Sequence, residues 1–469
     1  MRVEQETTFA LFFGNRGFFP PGLMGAARQE MTETLSRLGY GFIIMDETAT
    51  RHGAVETALE GEVFADFLKR RAGRFGGVIL CLPNFGDETG AVAALQDCGV
   101  PILVQAYPDE LDMMAPETRR DSFCGKFSIM DVFGQYGLPF TALKPHTVHP
   151  SDPRFASQLD LFARTCRVVG SMRRMVVGAI GARTTAFKTV RIDELALQRH
   201  GITMETLDLS DVFARMAAVS EKGDYYRSKA ACLEEYTEWE GVPEEAFIQI
   251  VKLGVVLDEI VEEYQMDAIA LRCWQEMQRQ LGISPCVLLS EMNDRGLPAA
   301  CEVDIGNAVA MRALALASGD VATCLDWNNN YGEDDNKCIL FHCGPVPQSM
   351  MTARGQISDH LILANAVGKG CGWGCNSGRI APNPFTFSSM LTEGGRLKFY
   401  LGQGQFTNDP IPANFFGCAG VALIANLQDA LQKIGYAGHR HHVGVTPGTV
   451  VEPIKEAFGR YLGYDLMLV

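Results

Sequence analysis

Glu302, Asp326 and the His441–His442 pair are the residues whose types could do chemistry together. They lie in three short segments: CEVDIGN (301–307), CLDWNNNYGEDDN (324–336) and GHRHHVGV (438–445). Two carboxylates and an imidazole form a ligand set for a divalent cation that leaves coordination positions open to a substrate. Carboxylates beside such an ion can also move protons. If the three segments converge, the chain is a metalloenzyme.

Each residue has its own local logic. Glu302 opens an apolar run closed by Gly319, so it falls in the first turn of an expected helix, where the helix dipole favours an ionised carboxylate. Asp304 competes with it for that position. Asp326 ends an apolar strand where a loop begins, a common place for a functional carboxylate. The acidic run 333–335 reads as a solvated loop. In a strand, His441 and His442 point to opposite faces, so one of them can face a site. His342 shares parity with Asp326 in an expected hairpin. Pairing around the loop sets Asp326 opposite residue 338, which leaves His342 on the order of 13 Å away at ~3.3 Å per residue. It is therefore expected in a substrate-contacting or supporting role. The glycine-dense segment 368–386 surrounds Trp373 with Asn376, Ser377 and Arg379, an apolar ring face beside hydrogen-bonding groups that suits a sugar. Arg16 follows the first strand in GNRGFFPPG, in a site-loop position. Arg183, Lys188 and Arg191 share a loop suited to anions or an interface.

The elements that must position these residues follow from hydrophobic periodicity. Residues 7–15, 40–46, 76–84 and 100–108 read as strands, alternating with helices at 24–38, 63–74 and 88–99. That alternation predicts a parallel sheet covered on both faces, with ligands at the carboxyl ends of its strands. A helix over 154–172 leads to a second α/β unit starting at 175. Beyond about 318 the chain turns rich in Gly, Asn and Pro. Strands at 321–327, 337–344, 396–406 and 441–448 then suggest an antiparallel, barrel-like sheet, with a closing helix near 451–462. The expected fold is α/β: two doubly wound domains, 1–174 and 175–318, then a β-rich domain, 319–469.

Composition narrows the class. The 469 residues carry a net charge of −15, which argues against nucleic acid as a partner. No stretch approaches the ~20 apolar residues of a membrane span, and the N-terminal apolar run is short for a signal peptide, so a cytoplasmic location is expected. The 14 cysteines have no regular framework and read as small buried hydrophobes; no spacing completes a zinc site.

On CEVDIGNAVAMRAL, the strand ending in Asp326 and the HH strand near the C-terminus, the chain resembles the L-fucose isomerase and L-arabinose isomerase superfamily. The domain order resembles it as well. The Glu–Asp pairing is similar to the L-fucose branch; the arabinose branch has an additional His ligand, which could correspond to His342. The resemblance implies a metal-dependent aldose–ketose isomerase acting on a hexose-type sugar through an ene-diolate, with manganese as the expected ion. It implies Glu302 and Asp326 as metal ligands and acid/base pair, and His442 as the remaining ligand with His441 as fallback. It also implies a homo-oligomer, trimer or hexamer, in which Arg16 reaches a neighbouring copy's site. Departures around the site point to a sulfosugar such as sulfoquinovose as an alternative substrate. A non-catalytic sugar-binding protein is the remaining alternative.

Overall fold

The structure, a computed structural model, describes residues 7–20, 22–184 and 186–469. Residues 1–6 of the N-terminal segment and Thr185 of the 180–194 loop lie outside the described residues. The chain divides into two compact units. One comprises 1–171 with 455–463, the other 172–454 with 464–469. The two stretches expected as second and third domains thus make one unit. The C-terminal helical stretch belongs to the first: the Tyr461 hydroxyl hydrogen-bonds the Ile102 carbonyl at 3.2 Å and Thr141 Oγ1 at 2.8 Å.

The first unit is built on a parallel sheet of β1 (Thr8–Phe13), β2 (Gly41–Ile44), β3 (Gly77–Leu82) and β4 (Ile102–Ala106), in the order β2-β1-β3-β4. Continuous apolar strands are what a sheet covered on both faces requires. Alternate residues feed separate cores. Ala10, Phe12, Val78 and Leu80 pack with Phe64 and Phe133, while Phe9, Leu11, Phe13 and Ile79 pack with Met31 and Phe162. Each fully buried side chain of this kind contributes about 1.5–3 kcal/mol. A charge placed at Leu80, which is 0% exposed, would have no partner.

The second unit holds a parallel sheet of β5 (Met175–Ile180), β6 (Ile202–Leu207), β7 (Ala268–Leu271) and β8 (Ala299–Cys301), in the order β6-β5-β7-β8. The helix Ile305–Ser318 follows. Its N-cap is Asp304, which accepts from the Asn307 amide, and Gly319 ends it at φ +67°. All its residues but Arg312 and Ser318 are buried, because it packs on β5 and β7 and also under the sheet that follows. Gly306 permits that approach: a Cβ there would lie 2.4 Å from the Met390 carbonyl.

The following strands are β9 (Thr323–Asn330), β10 (Lys337–His342), β11 (Gln356–Ser358), β12 (Cys375–Arg379), β13 (Pro384–Glu393), β14 (Arg396–Phe406), β15 (Cys418–Leu423), β16 (His442–Pro447) and β17 (Asp465–Leu468). Six of them close into an antiparallel ring, β15-β10-β9-β16-β13-β14, through the β14–β15 pairing. Closure removes the open edges. β12 and β17 attach outside it, parallel to β15 and β14. Phe385, Phe387, Tyr400 and Phe406 fill the interior with Val443 and Val445. The expected fold class stands. Strands β13 and β15 escape the sequence reading, because their runs are interrupted by Ser, Thr and Gly.

Candidate active site

Glu302 sits at the carboxyl end of β8, where a parallel sheet presents ligands. It does not lie in the helix's first turn as expected. Glu302 and Val303 take φ of +58° and +59°, and the helix starts only at Ile305. A left-handed pair that includes a β-branched residue is costly, and its surroundings must hold it in place. The turn aims the Glu302 carboxylate towards β16, where Oε2 lies 3.0 Å from His442 Nε2.

Strand register supplies the rest. β9 and β16 run antiparallel with Asp326 directly across from His442, so the two side chains share a face. Asp326 Oδ1 lies 3.5 Å from His442 Nε2. His441 is 44% exposed, with Nε2 3.7 Å from Asp326 Oδ1. Tertiary geometry therefore separates two histidines that look alike in sequence: His442 is interior and His441 is at the rim.

His342 is a correction. Its expected distance from Asp326 rested on a strand ending near residue 327. β9 runs on to Asn330, and a bulge between Ile339 and Leu340 sets Phe341 opposite Asp326. The hairpin turn falls later than assumed. The parity argument fails as well, since Phe341 takes the paired position. His342, at the end of β10, brings Nε2 to 3.8 Å from Glu302 Oε2, with its ring 5.9 Å from that of His442.

Around these groups lies a cavity of about 340 Å³, lined by Cys273, Trp274, Cys286, Glu302, Asp326, Phe341, His342, Cys343, His360, Ile362 and Leu363. That volume suits a small ligand. Trp274 Nε1 donates to Glu302 Oε1 at 3.3 Å. Phe187 stands 5.6 Å from both the His441 and His442 rings.

Two sequence candidates lie elsewhere. Asn376 is 0% exposed; Thr237 Oγ1 donates to its Oδ1, and its Nδ2 donates to Ser290 Oγ. Those bonds spend its polar atoms on joining β12 to the neighbouring helices, and it is not part of the cavity lining. Trp373 packs against the core of the second sheet, with its backbone hydrogen-bonded to Gly282 and Ser284. Trp274, not Trp373, is the indole in the cavity wall. Arg16, in the first unit, is held there: Nε donates to the Gly86 carbonyl at 2.7 Å, the guanidinium pairs with Glu88, and it lies 4.6 Å over the Phe85 ring.

The supporting residues were the least legible. Asp304 Oδ2 bonds His442 Nδ1 at 2.8 Å, and its Oδ1 pairs with Arg440; all three side chains are buried. A carboxylate on one imidazole nitrogen fixes the tautomer and directs the other nitrogen outward, as is usual behind metal-binding histidines. Arg440 lies two residues before His442, a hint present in the HRHH segment. Nothing in RCWQE signals Trp274.

The electrostatics match a charged pocket. Burial works against ionisation of Glu302, yet the imidazoles of His442 and His342 hold its carboxyl well below the usual range. Burial pushes Asp326 up, partly offset by the same imidazoles. Burial alone would lower His442 and His342. Nearby thiols and the carboxylates raise both well above the ordinary value.

The fit to a cation rests on orphaned atoms. Glu302 Oε2, Asp326 Oδ1 and His342 Nε2 are all buried and have no hydrogen-bond partner; the approach of His442 to Glu302 is off hydrogen-bond geometry. Unpaired buried oxygen and nitrogen cost about 1–3 kcal/mol each. Ligand atoms at ~2.1 Å from one ion lie about 3 Å apart, close to the separations here. Two groups among the described residues have this character, Glu302–His342–His442 and Asp326–His441–His442. The donor set fits a divalent cation.

Comparison with known proteins supplies the family. Residues 10–173 match the family model described as fucose/sulfoquinovose isomerase, N-terminal domain, and residues 340–469 match L-fucose isomerase, C-terminal domain. A sulfoquinovose isomerase from Priestia aryabhattai is 22% identical over 401 residues, covering 81% of this chain and 83% of the relative. A sulfoquinovose isomerase from Alkalicoccus urumqiensis is 22% identical over 375 residues, 80% of this chain and 82% of the relative. One from a Clostridium species is 22% identical over 309 residues, 65% and 67%.

Proposed function

The chain belongs to the fucose isomerase-like superfamily and is an aldose–ketose isomerase, and from that premise we propose that it converts a sulfonated hexose of the sulfoquinovose type to its ketose. The convergence of three partnerless buried atoms on Glu302, Asp326 and His342 beside His442 carries the catalytic part of this reading. The names of the relatives support the substrate class. They favour it over the unsulfonated hexose expected first, and an isomerase sets aside a purely sugar-binding role.

Glu302, Asp326 and His442 would hold the cation, manganese being the first choice for a mixed oxygen and imidazole set, with His342 close enough to join them. When bound, the ion supplies Lewis-acid polarisation of the sugar carbonyl and stabilises the developing negative charge. Glu302, kept ionised by its imidazole neighbours, accepts the C2 proton at a carboxylate oxygen. Asp326, the second carboxylate, handles the partner proton at C1 or at a sugar hydroxyl. Trp274 fixes the Glu302 rotamer, and Phe341, Phe187 and Trp274 limit water around the reacting carbons.

A sulfonate needs a cationic partner, and the cavity lining described contains no Lys or Arg. Arg16 of a neighbouring copy is the expected source, which makes the working enzyme a homo-oligomer, trimer or hexamer. No helix among the described residues is long and apolar enough to cross a membrane; a cytoplasmic location goes with this reading. The test is a panel of aldoses with manganese, followed by NMR in deuterated water. Sulfoquinovose should give ketose with C2 exchange at far higher kcat/KM than fucose or glucose. Preference for an unsulfonated hexose would return the reading to the L-fucose type, and no ketose from any sugar would overturn it.

A further inference from the structure

Behind the oxygen-lined pocket lies a second group of donors that the isomerisation does not use. Cys286 and Cys343 line the cavity with their sulfurs 3.5 Å apart. Cys301, the last residue of β8, has its sulfur within 4.8 Å of Cys343 Sγ, and Cys273 lines the same cavity. Cys286 and Cys343 also pack with Cys375 in one buried cluster. Five free thiols from five separate segments therefore meet in one buried knot. His342 borders it: Nδ1 accepts from the Cys343 amide at 2.9 Å and lies 3.2 Å from Cys343 Sγ, while Nε2 faces Glu302.

The dimensions are those of a sulfur-rich metal site. Around a tetrahedral ion with bonds of about 2.3 Å to sulfur, neighbouring sulfurs lie roughly 3.8 Å apart. Cys286 and Cys343 are within a few tenths of an ångström of that. The ligand atoms of Cys301, His342 and Cys343 all lie within 4.8 Å of one another. Packing alone does not call for thiols here, because methyl groups would fill the same space without polar atoms. Oxygen donors suit manganese, whereas thiolates select zinc, cadmium and similar soft ions.

We infer that Cys286, Cys301, Cys343 and His342 form a binding site for one thiophilic divalent ion, distinct from the Glu302–Asp326–His442 group and sharing His342 with it. Binding releases the thiol protons to solvent and needs no oxidant. An ion held there takes His342 Nδ1 from the Cys343 amide and shifts the ring whose Nε2 faces Glu302, so soft ions act as inhibitors. Binding stands on the thiol geometry alone; only its effect on turnover rests on the proposed isomerase site.

The experiment is a titration of metal-stripped full-length protein with cadmium, followed by the ultraviolet sulfur-to-cadmium charge-transfer band and by the ion-to-protein ratio. The band should saturate at one equivalent in the wild type and persist in the Glu302→Gln, Asp326→Asn double variant. It should be lost in Cys301→Ala and strongly weakened in Cys286→Ser, with far-UV circular dichroism confirming that each variant folds. Absence of the band in the wild type, which needs no variant to interpret, overturns the inference. So does an unchanged band in both folded cysteine variants, which would assign the signal to the other thiols. If the sulfur band appears without any loss of turnover, the binding site stands and the claim of inhibition through His342 falls.

Discussion

The carboxyl ends of the two parallel sheets carry polar clusters of similar composition and opposite character. In the first unit, Asn84 Nδ2 donates to Asn15 Oδ1, and Asn84 Oδ1 accepts from the Arg16 and Gly86 amides. Asn15 is paired in turn with Glu56, and Arg16 with Glu88, which also accepts from Ser128. Burial of Glu88 is outweighed by these bonds, so its carboxyl is lowered. In the second unit, Glu302, Asp326 and His342 each keep a buried atom without a partner. Sheet topology puts both clusters where ligands are expected. Only the unsatisfied one has spare coordination capacity. A satisfied cluster contributes to its own fold, whereas an unsatisfied one costs stability that a ligand can return.

The comparison breaks first at Glu302. Glu302→Gln keeps the shape but loses the charge, and kcat should fall by about 10²–10⁴-fold with little change in melting temperature. Activity within a few-fold of wild type would remove Glu302 from proton transfer. Asp304→Asn tests the support behind the site. It leaves His442 wrongly held and Arg440 buried without its charge partner, so manganese affinity should fall about 10–100-fold by isothermal titration. The variant should also melt earlier. Unchanged affinity would mean that His442 needs no fixed tautomer.

Affinity for the ion should also depend on pH. Without metal, the neighbouring thiols and carboxylates raise His442 and His342 above the ordinary imidazole value, so falling pH adds protons to them that an incoming cation must displace. Affinity therefore weakens as pH falls, by about tenfold per pH unit for each proton displaced. A flat profile between neutral and mildly acidic pH would contradict the protonated pocket. The smallest effect belongs to the satisfied cluster. Asn84→Ala should lower stability by about 1–3 kcal/mol in denaturant melts while leaving the bound ion count unchanged. A lost ion there would erase the distinction between the two ends.

How much was readable follows from the kind of information each feature needs. The first sheet was legible because TFALFF, GVILCL and ILVQA are local apolar runs that state their own burial. Glu302 and Asp326 were legible because each ends such a run. His342 was misjudged because register depends on where a turn falls and on a bulge, and neither is marked in KCILFHC. Asn376 and Trp373 looked like sugar contacts on composition, yet which way a glycine-rich segment faces is decided by distant partners such as Thr237 and Gly282. The thiol knot was read as scattered hydrophobes, since its members come from five segments.

By itself, the sequence determined the α/β alternation, the β-rich end and the two carboxylates, because periodicity and strand ends are local properties of the chain. Only the tertiary structure decided that His442 is buried across from Asp326 while His441 sits at the rim, that His342 belongs with them, and that Asp304 and Arg440 stand behind. The physical reason is register: antiparallel pairing across the barrel fixes which atoms meet, and whether a buried atom finds a partner depends on every strand at once.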